Sequence, residues 1–275
     1  MKVEDRIFSK LKSPYDIRDY KLAYVSSPEE FPDTFELATV TIKDQGSIGS
    51  CVAHACSSIV EFHNNRQQKN PTVFSTEFIY GYRPEGYYIG EGMYPREALK
   101  TLKNLGDCPL NDLPGNNKCN IAMENVNKNI DDLKKLAAPH KISSFAKLST
   151  NDEIKQSLIS NGYVLVSMPW HKDYRLNKGI YTYKSSEIRG YHAVIIYGWN
   201  KDGWLVQNSW GKYWGDKGKF IIPFDFKFTE MWAVSDDITF EDNLIKPEEE
   251  NIFIKVFSGL LNIIVNIFKK IFKKY

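Results

Sequence analysis

The chain has 275 residues, enough for one sizeable core or two small ones. Its hydrophobic content of 42% and charged content of 25% are those of a globular protein, which excludes a fibrous or low-complexity chain. The net charge of +2 is unevenly spread: residues 251–275 carry five lysines and no acid, leaving −3 for residues 1–250, so the body has no basic balance that would point to nucleic acid.

Residues 1–30 are polar, and their first residues include acids with no apolar run of signal-peptide length, so no secretory leader is expected. They are expected to form an arm packed along the body, the alternative being a short pro-segment over a cleft. Phe31-Pro32-Asp33-Thr34-Phe35 opens the body. The small-residue turn Gln45-Gly46-Ser47-Ile48-Gly49-Ser50 leads into a helix from Cys51 to about Gln67, closed by the Lys69-Asn70-Pro71 turn. Ser75–Tyr82 and Pro95–Asn104 read as short helices, the second ended by Gly106. A capped helix spans Asn151–Ser160 and stops at Gly162. Strands are predicted at Tyr163–Met168, Ala193–Trp199, Trp204–Asn208 and Lys219–Ile222. Helices first and strands later predict an α+β layout with a cleft between two lobes.

Cys51 is the most informative residue. A thiol in the first helical turn feels the positive end of the helix dipole, which favours the thiolate. His192 follows 141 residues later and Asn208 a further 16 on. A nucleophile, a base and a group that orients the base are what nucleophilic catalysis requires. Among the other histidines, His54 projects along its helix, and His63, His140 and His171 lack a partner motif. A metal site from Cys51, His54, Cys56 and His63 is disfavoured because a helix scatters those side chains around its axis. No metal or cofactor is expected.

Three blocks carry a family resemblance. Gln45 to Ala53 resembles the Gln-Gly-Ser-Cys-Gly-Ser-Cys-Trp-Ala block of papain-like cysteine peptidases. Gly190-Tyr191-His192-Ala193-Val194 resembles their histidine strand. Asn208-Ser209-Trp210-Gly211, with Trp214-Gly215 and Gly218, resembles their Asn-Ser-Trp-Gly-x-x-Trp-Gly-x-x-Gly segment. The resemblance covers roughly residues 31–240 and is nearest to bacterial and viral members that lack the cysteine before the nucleophile. It implies an α+β, papain-like two-lobe fold: a helical lobe facing an antiparallel β-barrel lobe. It also implies a Cys51–His192–Asn208 triad acting through a thioester, with Gln45 and the Cys51 amide as the oxyanion hole. Trp210 would shield the His–Asn hydrogen bond. Gly92-Met93-Tyr94-Pro95 resembles the strip that pairs with substrate backbone. Tyr94, Pro95, Val166 and Ala193 would then wall the pocket for the second residue before the scissile bond, favouring a medium apolar or aromatic side chain. Val52, His54 and Tyr191 depart from the usual residues, and none removes a catalytic atom.

Where secreted relatives carry a half-cystine this chain has Ile48, which fits a reducing, cytoplasmic setting. Cys108 and Cys119 flank a Pro/Gly/Asn-rich loop and would pair only if oxidised; Cys56 is expected in the core.

After the acidic stretch 241–250, polar positions 255, 258, 259, 262, 266, 269, 270 and 273 recur at helical spacing in residues 251–275. The resulting basic amphipathic helix fits an in-plane membrane anchor or a docking site for a protein partner. Only 13 residues separate Lys255 from Lys269, too few to cross a bilayer. The expected function is a cysteine endopeptidase, or a transpeptidase on the same scaffold, acting on protein or peptide substrates and tethered by this helix. The rival readings are a catalytically silent peptide-binding scaffold, a membrane-docking module and a thiol transferase acting on non-peptide amides.

Overall fold

A computed structural model describes residues 6, 8, 10–14, 16, 19, 21–22, 30–67, 71–83, 91–115, 119–236 and 244–245. The amphipathic helix expected over 251–275 lies outside the described residues.

The helical lobe is built around α1 (Cys51–Gln67), whose first fourteen residues are all buried. A helix covered on every side needs no polar face, which is why small and apolar residues surround its axis. Around it pack α2 (Thr76–Gly81), N-capped by the Ser75 hydroxyl, and α3 (Pro95–Asn104), which starts with proline at its first turn. Two further helices, α4 (Cys119–Lys128) and α5 (Ile130–Ala137), were not expected from the sequence. α4 is Asn-rich and poor in helix formers, so tertiary contact sustains it: it lies so near α2 that a Cβ at Gly81 would strike the Ala122 backbone. Cys108, just before the Pro/Gly/Asn-rich stretch, is a free thiol that donates to the Leu133 carbonyl at 3.1 Å, so it is in no disulfide.

The second lobe is a mixed sheet. Its strands are β1 (Lys21–Leu22), β2 (Phe35–Glu36), β3 (Ser144–Lys147), β4 (Val164–His171), β5 (Arg175–Asn177), β6 (Ile180–Thr182), β7 (Ile188–Asn200), β8 (Gly203–Gln207), β9 (Lys219–Ile222), β10 (Glu230–Ser235) and β11 (Leu244–Ile245). Their order is β11-β1-β3-β10-β4-β7-β8-β9-β6-β5, with β2 pairing β7. Most neighbours are antiparallel; β1–β3 and β6–β9 run parallel. One face of the sheet meets α1, through Leu165, Ala193, Ile195 and Trp232. The other holds a second core of Val164, Val166, Val194, Ile196, Trp199 and Trp204 beneath α6 (Asn151–Ser160). The capping box between Thr150 and Glu153 fixes where α6 begins.

Candidate active site

α1 begins at Cys51, so the thiol sits at the positive end of that helix. The central strand β7 carries His192 and Ala193 to the same place, and the Ala193 and Val52 amides near the sulfur favour its thiolate. Asn208 follows β8 directly. Its Oδ1 lies 2.7 Å from His192 Nε2. The Ser209 amide donates to that same Oδ1 at 2.8 Å, which identifies it as the oxygen. His192 Nε2 therefore carries the hydrogen and Nδ1 the lone pair. That Nδ1 is buried and has no hydrogen-bond partner.

Gln45 is fully buried; its Oε1 accepts from the Ser209 hydroxyl at 2.7 Å and its Nε2 donates to the Ile48 carbonyl at 2.9 Å. One N–H of the amide remains after that bond. The Trp210 ring lies 4.8 Å from the His192 ring, tilted against it. The turn holding Trp210 is pinned to the helical lobe: Asp44 bridges Trp210, and Gly211 donates to Lys43. Gly211 has φ +77 and its Cα faces Asp44, a conformation and a clearance that suit glycine. His54, by contrast, turns back along α1 to the Ser50 carbonyl at 3.0 Å.

The N-terminal arm was expected to pack along the body; residues 6, 8 and 10–13 lie in the cleft instead. Arg6 donates to Asp44 Oδ1 at 2.6 Å and to the Gly46 carbonyl at 2.7 Å. Phe8 packs edge-on against His192 (6.0 Å between centroids) and Trp210 (5.7 Å). It passes so close to Gly190 that a Cβ there would collide with it. Lys10 pairs with Met93 in a parallel bridge, its amide donates to the Tyr191 carbonyl, and the Leu11 amide donates to the Met93 carbonyl. Further along, Arg96 bonds Asp19 and the Pro14 carbonyl.

This cover sets the electrostatics. Burial pushes the Cys51 thiol up to about 11, against the pull of the Ala193, Val52 and Cys51 amides and the Lys10 charge. Burial likewise holds His192 at about 4; the Asn208 bond opposes this and the Arg6 cation adds to it. The lowered thiol expected from the helix dipole is thus reversed. A dipole contributes up to ~2 kcal/mol, whereas burying an unpaired thiolate costs more.

The substrate-facing residues divide. Gly92, Met93, Tyr94 and Pro95 form one edge of the cleft, with Gly92 at φ +113 and its carbonyl held by Arg83. Ala193 shares a core with Met93. Val166 does not join them: it pairs with Val194 and packs in the core under α6, on the opposite face of the sheet. Ser167, paired with Ala193, takes its place. Arg6, Phe8, Lys10, Ser167 and Glu230 were all missed. The alternation of Arg6, Phe8 and Lys10 is the one signal that marked an extended segment.

Comparison with known proteins agrees with this arrangement. The profile described as "Papain family cysteine protease" matches residues 28–230. "Cathepsin B-like cysteine proteinase 2" of Haemonchus contortus is 45% identical over 74 residues, 25% of this chain and 22% of that protein. "Cathepsin B-like cysteine proteinase 3" of Caenorhabditis elegans is 29% identical over 242 residues, 71% of this chain and 62% of that protein. The chain thus spans less than two thirds of the length of either relative. Xylellain, a cysteine protease from Xylella fastidiosa, shares the fold with a TM-score of 0.74 at 21% identity, covering 84% of this chain and 96% of that one.

Fold and cleft together are those of the papain-like class. The chain belongs to the papain family of cysteine proteases.

Proposed function

We propose that this protein is a cysteine endopeptidase that works through a thioester on Cys51 and is held in its present state by its own N-terminal arm. One observation carries this reading: the His192–Asn208 hydrogen bond leaves a single unpartnered ring nitrogen, on the residue whose neighbour, Ala193, packs in one core with Cys51.

The chemistry follows from those atoms. With the arm displaced and a peptide in its place, Cys51 passes its proton to His192 Nδ1, and the sulfur attacks the carbonyl carbon. The oxyanion takes hydrogen bonds from the Cys51 amide and the free N–H of Gln45. His192 Nδ1–H then protonates the departing amine as the C–N bond breaks, leaving a thioester. Water, deprotonated by His192, attacks the thioester; the acid leaves and the thiol is restored. Asn208 holds the ring in one tautomer throughout, and Trp210 keeps water from that bond.

The proposal includes a regulatory step. The arm excludes water and so keeps thiol and ring neutral, with the Arg6 cation adding to the effect on the ring, and the ion pair forms only when the arm leaves. An epoxysuccinyl probe should label Cys51 slowly in the full chain and at least tenfold faster in Phe8→Ala, and should lose Cys51 selectivity in Phe8→Ala/His192→Ala. Equal labelling with and without His192 would refute the enzyme reading. Cleavage of a peptide library by Phe8→Ala, absent in Phe8→Ala/Cys51→Ala, separates a peptidase from a peptide-binding scaffold.

Residues 251–275 are proposed to tether the enzyme to an anionic membrane surface, on the strength of their lysine-edged apolar periodicity. Among the described residues no helix is long and apolar enough to cross a membrane. Flotation of 1–275 with anionic liposomes, but not of 1–250, is the expected result; equal partitioning removes the tether.

A further inference from the structure

Two hairpin turns hold lysine where the backbone favours glycine or asparagine. Lys178 (φ +50) and Lys217 (φ +52) are, among the described residues, the two non-glycine residues with positive φ. Each precedes a glycine that also has positive φ, Gly179 and Gly218, the pattern of a two-residue type I′ turn. The first turn joins β5 to β6 with Asn177 opposite Ile180; the second sets Asp216 opposite Lys219 at the start of β9. β6 and β9 run parallel, with Ile180 opposite Ile221, so both tips emerge from the same end of the sheet. The Ile221 amide donates to the Gly179 carbonyl at 2.9 Å and ties the two turns together. Next to them, the turn after Trp210 carries Lys212 and Tyr213. Tyr213 is 93% exposed, with the Lys212 ammonium 5.2 Å from its ring. Residues 177–180 and 211–219 hold four lysines and a single acid, Asp216. Lys178, Lys212 and Lys217 are exposed, and among the described residues no carboxylate forms a salt bridge with them.

We propose that Lys178, Lys212 and Lys217, around the exposed Tyr213 ring, form an exosite for an acidic stretch of a polypeptide substrate, on the carboxyl-terminal side of the scissile bond. This rests on the peptidase reading above and deepens it. The placement follows from the chemistry: His192 protonates the leaving amine, so the residues after the scissile bond lie on the His192 side of the sulfur. Trp210 packs on that ring, and Trp214 lies 5.1 Å from Trp210, at the foot of the lysine turns. The Gly218 amide donates to the Trp214 carbonyl at 2.7 Å, and Leu176 of β5 lies beside Gly215. The segment now in the cleft runs past the same place: Arg6 donates to the Trp210 carbonyl at 3.3 Å and lies 5.8 Å over its ring. An extended polypeptide is the occupant that fits, because the turns adjoin a path that an extended chain already takes. Its carboxylates would meet three ammonium groups that lack a counter-charge. One exposed pair contributes little, so the effect needs several acids meeting several lysines at once, and it fades with salt. The left-handed lysines point to the same end. Asparagine would hold each turn with less strain but would bring no charge.

Replacing Lys178 and Lys217 by asparagine removes charge and relieves the backbone together, so loss of function is not confused with loss of fold. Two measurements on full chains use this. In the first, two peptides share one cleavable sequence and a short Gly-Ser spacer after it, and end in Glu-Asp-Glu-Asp or Gln-Asn-Gln-Asn. In Phe8→Ala the acidic peptide should have about fivefold higher kcat/KM at low salt, falling to parity near about 1 M salt. In Phe8→Ala/Lys178→Asn/Lys212→Gln/Lys217→Asn that advantage should vanish, while the amide peptide is cut as before and Tm does not fall. Equal rates for the two peptides in the first chain, or an advantage that survives the substitutions, overturns the proposal. The second measurement needs no turnover. Labelled Glu-Asp-Glu-Asp peptide is titrated by anisotropy into Cys51→Ala and into Cys51→Ala with the same three substitutions. It should bind the first chain about fivefold more tightly; equal affinity overturns the proposal. If phosphatidylserine vesicles distinguish these two chains and the peptide does not, the surface serves a membrane and the proposal falls. Charge-dependent binding without cleavage of either peptide would sink the peptidase reading and leave the lysine surface standing. Cleavage indifferent to acid or amide would do the opposite.

Discussion

With the arm in place, Cys51 stays a thiol until about pH 11 and His192 stays neutral down to about pH 4, both because their surroundings are dry. Those values describe the covered site. Water admitted by Phe8→Ala removes the largest cause of each shift, so the thiol pKa should fall below its ordinary value and the imidazole pKa should rise. The pH dependence of Cys51 alkylation in Phe8→Ala should accordingly move well below 9; a midpoint still near 11 would locate the cause outside the arm. Gln45 offers a second test at this scale. Its Oε1 is fixed by Ser209, so its amide is already oriented before substrate binds. Gln45→Ala in the Phe8→Ala background should lower kcat by about 10²–10³-fold with KM little changed. A loss confined to KM would mean that Gln45 binds substrate and does not stabilise the oxyanion.

The arm is the element on which the site's state depends, and it is held by a few discrete contacts: Arg6 at Asp44, Phe8 on the aromatic cluster, and Lys10 at Glu230. Gly190 gives it clearance, and a methyl group there would strike Phe8. Gly190→Ala should raise the Cys51 labelling rate as Phe8→Ala does, without touching a reacting atom; an unchanged rate would show that the arm does not gate the thiol. Helix α6 illustrates a local feature with a local cost. Removing its capping hydroxyl in Thr150→Ala should lower stability by about 1 kcal/mol, roughly 2–4 °C in Tm for a chain of this size, with no change in Cys51 reactivity. Helices marked by caps and proline, α1, α3 and α6, were legible in the sequence for that reason. α4, α5 and β10 were not: no side-chain cap marks α5, although Ile130, Leu133, Leu136 and Ala137 recur at helical spacing, and the partners of β10 come from distant parts of the chain.

For the molecule as a whole, buried neutral histidines set the acid limit. His54, His63 and His192 are each held at about 4, in every case chiefly by burial. In the unfolded chain each titrates near 6.5. Between those values the unfolded state binds up to three more protons than the folded one, so stability falls as pH falls, with a slope of at most about 4 kcal/mol per pH unit. On the alkaline side, burial raises Cys51 to about 11 and Cys108 to about 12, so the unfolded chain releases protons first and stability declines as pH rises above about 9. A Tm plateau between about pH 6.5 and 9, falling on both sides, is expected; a flat Tm from pH 7 to 5 would contradict it.

By itself the sequence determined the fold class and the positions of Cys51, His192, Asn208, Gln45 and Trp210, because each lies in a short block whose spacing is local. It could not determine which residues face the cleft from the sheet. Whether Ser167 or Val166 points inward is a matter of side-chain parity, set by pairing with β7 and β10, and a one-residue slip would reverse it. Nor could it show that Lys10 meets Glu230, 220 positions away, or that Phe8 covers His192. Those contacts exist only because the folded lobes leave a groove that an extended, alternately charged and aromatic segment fills.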